Sequence, residues 1–398
     1  MARIVFSVFG SAGDILPCIA VGNALKGEGH DVAFMTPRWV GLYPRSAGFR
    51  TLVSGDGSEN QALEDIELFS AQFDGLASWR RITADYVYPL VNEYYESFLG
   101  ILAREQPDLV IATAQGYWGS VGATELGIPW VSFHLYPQLI EIRDRRRRGL
   151  GSRFGGPMAR WLIEQERRLG VTPTSVPTID WGVSPMRTVG PHDPFVLANA
   201  GALPQSFGFP YNDEVFSLST GPTDDVADFL GRSSAPTVVV SLGSFMGLVD
   251  SSFWQTMALS VADLHCSFLF VGLSSKDQRE FTQDNVHATG HLPLSKVLPH
   301  ADLLIHHGGI GSTYAGLFAG IPSLITPRAF DQCYNSRILV SLGVGALLPK
   351  SPHAYRNAIV GALTDTELSR RARALAPVLV PPQVAALSIG RELTDALR

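Results

Sequence analysis

The stretch from Leu303 to Asn335, LLIHHGGIGSTYAGLFAGIPSLITPRAFDQCYN, constrains this chain more than any other. Ala301 to Ile305 is an apolar run short enough for a buried parallel strand. It stops at His306-His307-Gly308-Gly309-Ile310-Gly311-Ser312-Thr313, and Tyr314 to Ala319 then reads as helix, ended by Gly320-Ile321-Pro322. Ser323 to Thr326 is the next strand, followed by Pro327 and the polar turn Phe330-Asp331-Gln332. Strand, glycine-rich turn, helix and strand make a βαβ unit, whose turn lies where open α/β sheets bind ligands.

The turn suits an anion. Gly308, Gly309 and Gly311 let backbone N–H groups approach closely, and a helix starting at Ser312 or Thr313 adds its positive end. His307, Ser312 and Thr313 can each donate to a phosphate oxygen. A tight turn capped by Ser312, with His307 a structural histidine, is the plainer reading of the same residues. Asp331 and Gln332, on the next turn of the unit, carry the acceptor and donor groups that suit a sugar.

Together these residues resemble the donor-binding signature of inverting, GT-B-fold glycosyltransferases of the GT1-like kind. The family pattern runs roughly HxGxG[ST], GxPxxxxPxxxDQxxNA and GxG. Here it is met by His307, Gly309, Gly311, Ser312, Gly320, Pro322, Pro327, Asp331, Gln332, Asn335, Gly343 and Gly345, with Ser336 where Ala is common. The resemblance implies an α/β chain of two Rossmann-like domains facing across a cleft. Gly309, Gly311 and Ser312 would then receive the diphosphate of a nucleotide sugar, beside His307, and Asp331 with Gln332 would hold the sugar.

The amino end repeats the βαβ theme. Arg3 to Phe9 reads as a buried strand, Gly10-Ser11-Ala12-Gly13-Asp14 as its turn, Ile15 to Glu28 as an amphipathic helix and Val32 to Thr36 as the second strand. A nicotinamide or flavin site fails here on two counts. The spacing is GxxGD rather than GxGxxG, and the second strand ends in Met35-Thr36-Pro37 without an acidic residue for a ribose. GSAGD, with Pro17 three residues on, instead resembles the turn of sterol, glycopeptide-antibiotic and rhamnolipid glycosyltransferases. By that resemblance Asp14 is the base that deprotonates the acceptor hydroxyl, on a turn of Gly10, Ser11 and Gly13 beside the diphosphate. A carboxylate of ordinary pKa, about 3.9, is a weak base for an alcohol. The role therefore needs burial, or proton transfer late and concerted with bond formation. Asp14 is also competent as a helix N-cap.

Between residues 56 and 98 the chain reads as helical and aromatic, with Phe69, Phe73, Trp79, Tyr86, Tyr88, Tyr94, Tyr95 and Phe98. The resemblance makes this the acceptor side and favours an apolar or aromatic acceptor; helical spacing alone is equally met by core packing. Asp108 to Thr113 and Ile128 to His134 are further strands, with Thr113 and Gln115 near the end of the first and His134 read as structural. The arginine run Arg145–Arg148 beside glycines reads as a solvated loop, or as contact with an anionic acceptor or membrane surface.

Two domains are expected from 398 residues: an acceptor domain over 1–210, a linker over 211–236, a donor domain over 237–380 and a final helix over 381–398 returning to the first. Thr237 to Leu242 followed by Gly243 and Ser244 (VSLGS) resembles the family's diphosphate turn, and His291 with Leu292 the stretch whose main chain reads the base. No DxD motif occurs, so the resemblance implies transfer without a metal or other cofactor, the nucleotide sugar being a co-substrate. A net charge of -6 argues against nucleic acid as a partner. Cys18, Cys266 and Cys333, odd in number and far apart, fit a reduced, cytoplasmic protein, and no run reaches the length of a membrane span. The partners expected are a dTDP- or UDP-sugar, with a slight lean to a dTDP-deoxyhexose, and a small-molecule acceptor, for a monomer or homodimer with at most weak peripheral membrane contact. A sugar-nucleotide epimerase or hydrolase, and a non-catalytic GT-B auxiliary protein, stay open as alternatives.

Overall fold

A computed structural model describes residues 1–53, 88–114, 116–135, 157–171, 184–197, 206–217, 224–231, 234–246, 251–274, 277–281, 283–328 and 331–397. They form two compact units, Met1–Asn212 with Val380–Arg398, and Asp213–Leu379. Gln115, the Arg145–Arg148 run and the aromatics Phe69, Phe73, Trp79 and Tyr86 lie outside the described residues. Within 211–236 the chain forms a 3-10 turn, Glu214–Ser217, and a helix, Asp224–Gly231.

The first unit holds β1 (Arg3–Ser7), β2 (Asp31–Thr36), β3 (Arg50–Val53), β4 (Leu109–Thr113), β5 (Trp130–Phe133) and β6 (Thr188–Val189). All pair in parallel, in the order β3-β2-β1-β4-β5-β6. The second holds β7 (Thr237–Ser241), β8 (Ser267–Val271), β9 (Val286–Thr289), β10 (Leu303–His306), β11 (Ser323–Ile325) and β12 (Gly345–Leu347), likewise parallel, in the order β12-β11-β10-β7-β8-β9. Counted within each unit the two orders are the same, doubly wound one. The winding reverses between β1 and β4 in one sheet and between β7 and β10 in the other. Such reversal points open a ligand crevice at the carboxyl ends of the strands. Helices cover both faces of a parallel sheet, so its strands read as unbroken apolar runs; TVVVS in β7 and SFLFV in β8 are buried throughout.

The first helix, Ala12–Gly27, departs from the amphipathic pattern expected of it. Ile15, Leu16, Cys18, Ile19, Ala20, Val21, Gly22 and Leu25 are all buried, leaving little polar face. The cause is the last helix, Pro382–Thr394, which packs on its outer side: a Cβ at Gly390 would lie 3.2 Å from Leu25, and Arg391 donates to Glu28 at 2.7 Å. A helix apolar all round must be covered all round. Asp193 fixes the returning chain by accepting the Val380 N–H at 2.8 Å. No single helix among the described residues is long and apolar enough to cross a membrane.

Candidate active site

In the first unit the reversal point carries Asp14. β1 ends at Ser7, and the chain turns through Gly10 at φ +136, in the region that favours glycine. A Cβ on Gly10 would lie 2.1 Å from Asp14 Oδ2, so any side chain there would displace the carboxylate. The helix N-cap is Ser11, not Asp14, which sits in the third helical position. There it accepts the Ser11 N–H at 2.6 Å and the Ser11 hydroxyl at 3.2 Å, both on Oδ2. Those bonds fix the carboxylate's orientation and offset the cost of burying a charge that is only 7% exposed. Gly13, in the helix's first turn, brings its backbone past the Ser11 hydroxyl, 3.6 Å from where its Cβ would be.

The β4 side of the same point is packed against Ser7. The Thr113 hydroxyl donates to the Ser7 carbonyl at 3.4 Å, and a Cβ on Gly116 would lie 2.4 Å from that oxygen. Phe9, half-buried just before Gly10, meets Trp118 edge-on at 5.1 Å and gives the turn an apolar wall. Of the aromatic stretch, Tyr94, Tyr95 and Phe98 are core: Tyr94 and Phe98 pack on Trp118 and Tyr95 on Trp161. His134 is buried, as is His192; burial first, then the His134 ring, pushes His192 down to about 3.

In the second unit the reversal point carries His307. Its ring is held between two glycine backbones: a Cβ on Gly243 would lie 2.6 Å from Cε1, and one on Gly309 only 2.3 Å from Nε2. Gly308, at φ +88, turns the chain where a Cβ would come within 2.9 Å of the Gln332 carbonyl. The helix that follows runs Ile310–Ala319 with Gly309 as N-cap, so it begins earlier than the expected Ser312 or Thr313. Two consecutive glycines, one left-handed and one extended, accomplish the turn without a hydroxyl cap. Ser312 is thereby the third helical residue, and the N–H groups of Ile310, Gly311 and Ser312 belong to the helix's unsatisfied first turn. A Cβ at Gly311 would meet nothing within 4 Å, so the space beside this first turn is open.

The neighbouring turns converge here. Gly272, at the end of β8, places its Cβ direction 3.6 Å from the Gly243 carbonyl and 3.4 Å from the His291 ring after β9. Leu292 beside it is buried, and Ser244 is the second residue of a short helix, Gly243–Met246. Asp331 and Gln332, buried at 7% and 5% exposure, begin the helix Gln332–Ser341. Gln332 Oε1 accepts the Arg328 N–H at 2.8 Å, which leaves its amide nitrogen as the donating end. Asn335 donates from Nδ2 to the Gly308 carbonyl at 2.9 Å and to Asp331 Oδ2 at 2.7 Å. Asn335 thus ties the glycine turn to Asp331, a role that the sequence reading did not assign; its signal was the i, i+4 spacing from Asp331 on one helix face.

Burial sets the electrostatics of the turn. Burial pushes His307 down to about 4, aided by the charge of Arg328 and opposed by the Ser241 main chain, and His291 is lowered by burial too. At neutral pH the rings therefore offer hydrogen bonds and not positive charge. The first unit thus presents an oriented carboxylate, and the second a row of backbone donors with a neutral imidazole, the parts required to accept a proton and to receive a phosphate.

The family model of the erythromycin biosynthesis protein CIII-like C-terminal domain matches residues 269–378, which include the His307 turn and Asp331. L-demethylnoviosyl transferase of Streptomyces niveus is 27% identical over 369 residues, 87% of this chain and 85% of that protein. Sterol 3-beta-glucosyltransferase of Candida albicans is 24% identical over 416 residues, covering 93% of this chain but 26% of that protein, so the chain spans about a quarter of its length. Among solved structures, the glycosyltransferase SsfS6 of Streptomyces sp. SF2575 superposes with a TM-score of 0.69 at 21% identity, covering 98% of this chain and 99% of that one, which shows the fold. SsfS6 has also been solved in complex with thymidine diphosphate. The chain therefore has the GT-B fold of these glycosyltransferases, and within it residues 269–378 match the erythromycin biosynthesis protein CIII-like C-terminal domain.

Proposed function

We propose that the chain is an inverting glycosyltransferase that moves a deoxyhexose or glucose from a dTDP- or UDP-sugar to a hydroxyl of a small apolar or aromatic acceptor. The observation that carries this reading is that each unit has a reversal point of a different chemical kind. One holds the Ser11-oriented carboxylate of Asp14, and the other the His307 ring clasped by Gly243 and Gly309 before a bare helix N-terminus. Asp14 takes the acceptor proton as its oxygen attacks the anomeric carbon. The diphosphate leaves toward the N–H groups of Ile310, Gly311 and Ser312, with His307 donating a hydrogen bond, while Asp331 and Gln332 hold the sugar. The main chain of His291 and Leu292 borders the base. The SsfS6 complex with thymidine diphosphate and the S. niveus demethylnoviosyl transferase support the lean to a dTDP-deoxysugar. The half-exposed Phe9 beside Asp14 supports a flat acceptor.

The test is to incubate the protein with dTDP-rhamnose, dTDP-glucose and UDP-glucose in the presence of sterol and phenolic acceptors. The expected product is an acceptor heavier by one glycosyl group, with an anomeric configuration opposite to the donor's by proton NMR. A retained configuration would refute inversion. Free sugar released with no glycosylated product would favour a hydrolase instead.

A further inference from the structure

If the histidines at the donor turn are neutral, the leaving diphosphate needs a positive charge from elsewhere. A helix N-terminus supplies only partial charge, equivalent to about half an elementary charge. Arg328 lies three residues beyond the end of β11, outside the matched family pattern, and its residue is exposed. Its backbone N–H is anchored by Gln332, one of the two sugar-facing candidates. Its guanidinium has an aromatic neighbour. It lies 5.6 Å from the ring centroid of Phe253, in the first turn of the helix Ser251–Val261 that follows β7.

The strand order gives that contact its meaning. In the sheet, β10 stands between β11 and β7, and two steps between strands span about 10 Å. A side chain anchored past β11 that reaches the helix following β7 therefore bridges the carboxyl end of β10, where His307 and the glycine turn lie. The charge of Arg328 is felt at that ring, where it opposes protonation of His307. A guanidinium over an aromatic face keeps its N–H fork directed edgewise, the geometry that grips phosphate oxygens in pairs.

We propose that Arg328 is the cation of the donor site, its guanidinium spanning the end of β10 from β11 to Phe253 so as to meet the diphosphate of the nucleotide sugar. The assignment rests on the donor reading given above. It divides the labour at the turn: His307 and the helix N–H groups set direction, and Arg328 supplies charge.

Calorimetric titration of dTDP and UDP into wild type, Arg328→Gln and Arg328→Lys tests it, with thermal melting as the control for folding. Because Arg328 is exposed, the melting temperatures should agree. The expected result is a dissociation constant for the bound diphosphate raised about 10- to 100-fold in Arg328→Gln, the scale of losing a charge-assisted hydrogen-bond pair. Arg328→Lys should fall between the two, since it keeps the charge without the fork. Wild-type affinity should also fall more steeply with added salt than that of Arg328→Gln. Equal affinity in wild type and Arg328→Gln would overturn the role of Arg328 and leave the donor site standing. Absence of diphosphate binding in wild type would overturn the donor reading and Arg328's role with it.

Discussion

Asp14→Asn is expected to lower turnover about a hundred- to ten-thousandfold and to leave nucleotide binding unchanged, the range attributed to a positioned general base. Asparagine keeps the shape, and its side-chain oxygen can still accept the Ser11 N–H that Asp14 accepts at 2.6 Å. It cannot take up the acceptor proton. The competing role for Asp14 is closure of the helix terminus, in which it returns the Ser11 bond from the third helical position. That role predicts a loss of about 1 kcal/mol in stability with no kinetic effect, so one variant separates the two. Nucleotide binding should persist because His307, Asp331 and Gln332 lie in Asp213–Leu379, whereas Asp14 lies in the other unit. Turnover equal to wild type, measured on a variant that binds dTDP or UDP normally, would remove Asp14 as the base.

Acid should destabilise this protein well above the pH at which its carboxylates are neutralised. His134, His192 and His306 are at most 2% exposed, and burial lowers them from 6.5 to about 4, 3 and 3. Their folded values lie below their unfolded one, so between about pH 6.5 and 4 the unfolded chain binds protons that the folded chain refuses. Stability is therefore full above pH 6.5 and falls as pH drops, by about 1.4 kcal/mol per pH unit for each such histidine. For the His134 and His192 pair in the first unit this amounts to about 4 kcal/mol by pH 5, against a usual total of about 5–15 kcal/mol. Guanidinium melts at pH 7, 6 and 5 should show the midpoint dropping steeply between 6.5 and 5. A midpoint flat from pH 7 to 5 would mean that these rings protonate inside the fold.

Much of the architecture was legible because parallel strands leave a plain mark. RIVF, DLVIAT, TVVVS and LLIH read as buried runs, and each meets a glycine-rich turn at its carboxyl end or lies beside one that does. The stretch from His307 to Asn335 showed its strand, glycine turn, helix and strand through residue types alone. Three features were beyond a linear reading, each for a physical reason. The helix start at Ile310 was missed because a hydroxyl at Ser312 is the commoner cap, whereas Gly308 and Gly309 make the turn with backbone alone. The first helix was read as amphipathic because its outer cover, the last helix, is a contact between segments more than 350 residues apart in sequence. The neutrality of His307 follows from its enclosure between Gly243 and Gly309, which are far apart in sequence and meet only where the winding reverses. Asn335 was visible as a motif position, but its function as a tie from Asp331 to Gly308 needed the fold.

The measurement that bears most directly on the central claim is a thermal-shift panel of dTDP, UDP, GDP and NAD on the wild-type chain, repeated on His307→Ala. A diphosphate at about a hundred times its dissociation constant adds roughly 2.7 kcal/mol, a visible rise in melting temperature. The account predicts a rise with dTDP or UDP, none with NAD, and a smaller rise for His307→Ala at the same concentration. A rise with NAD alone, or with no diphosphate at all, would contradict it.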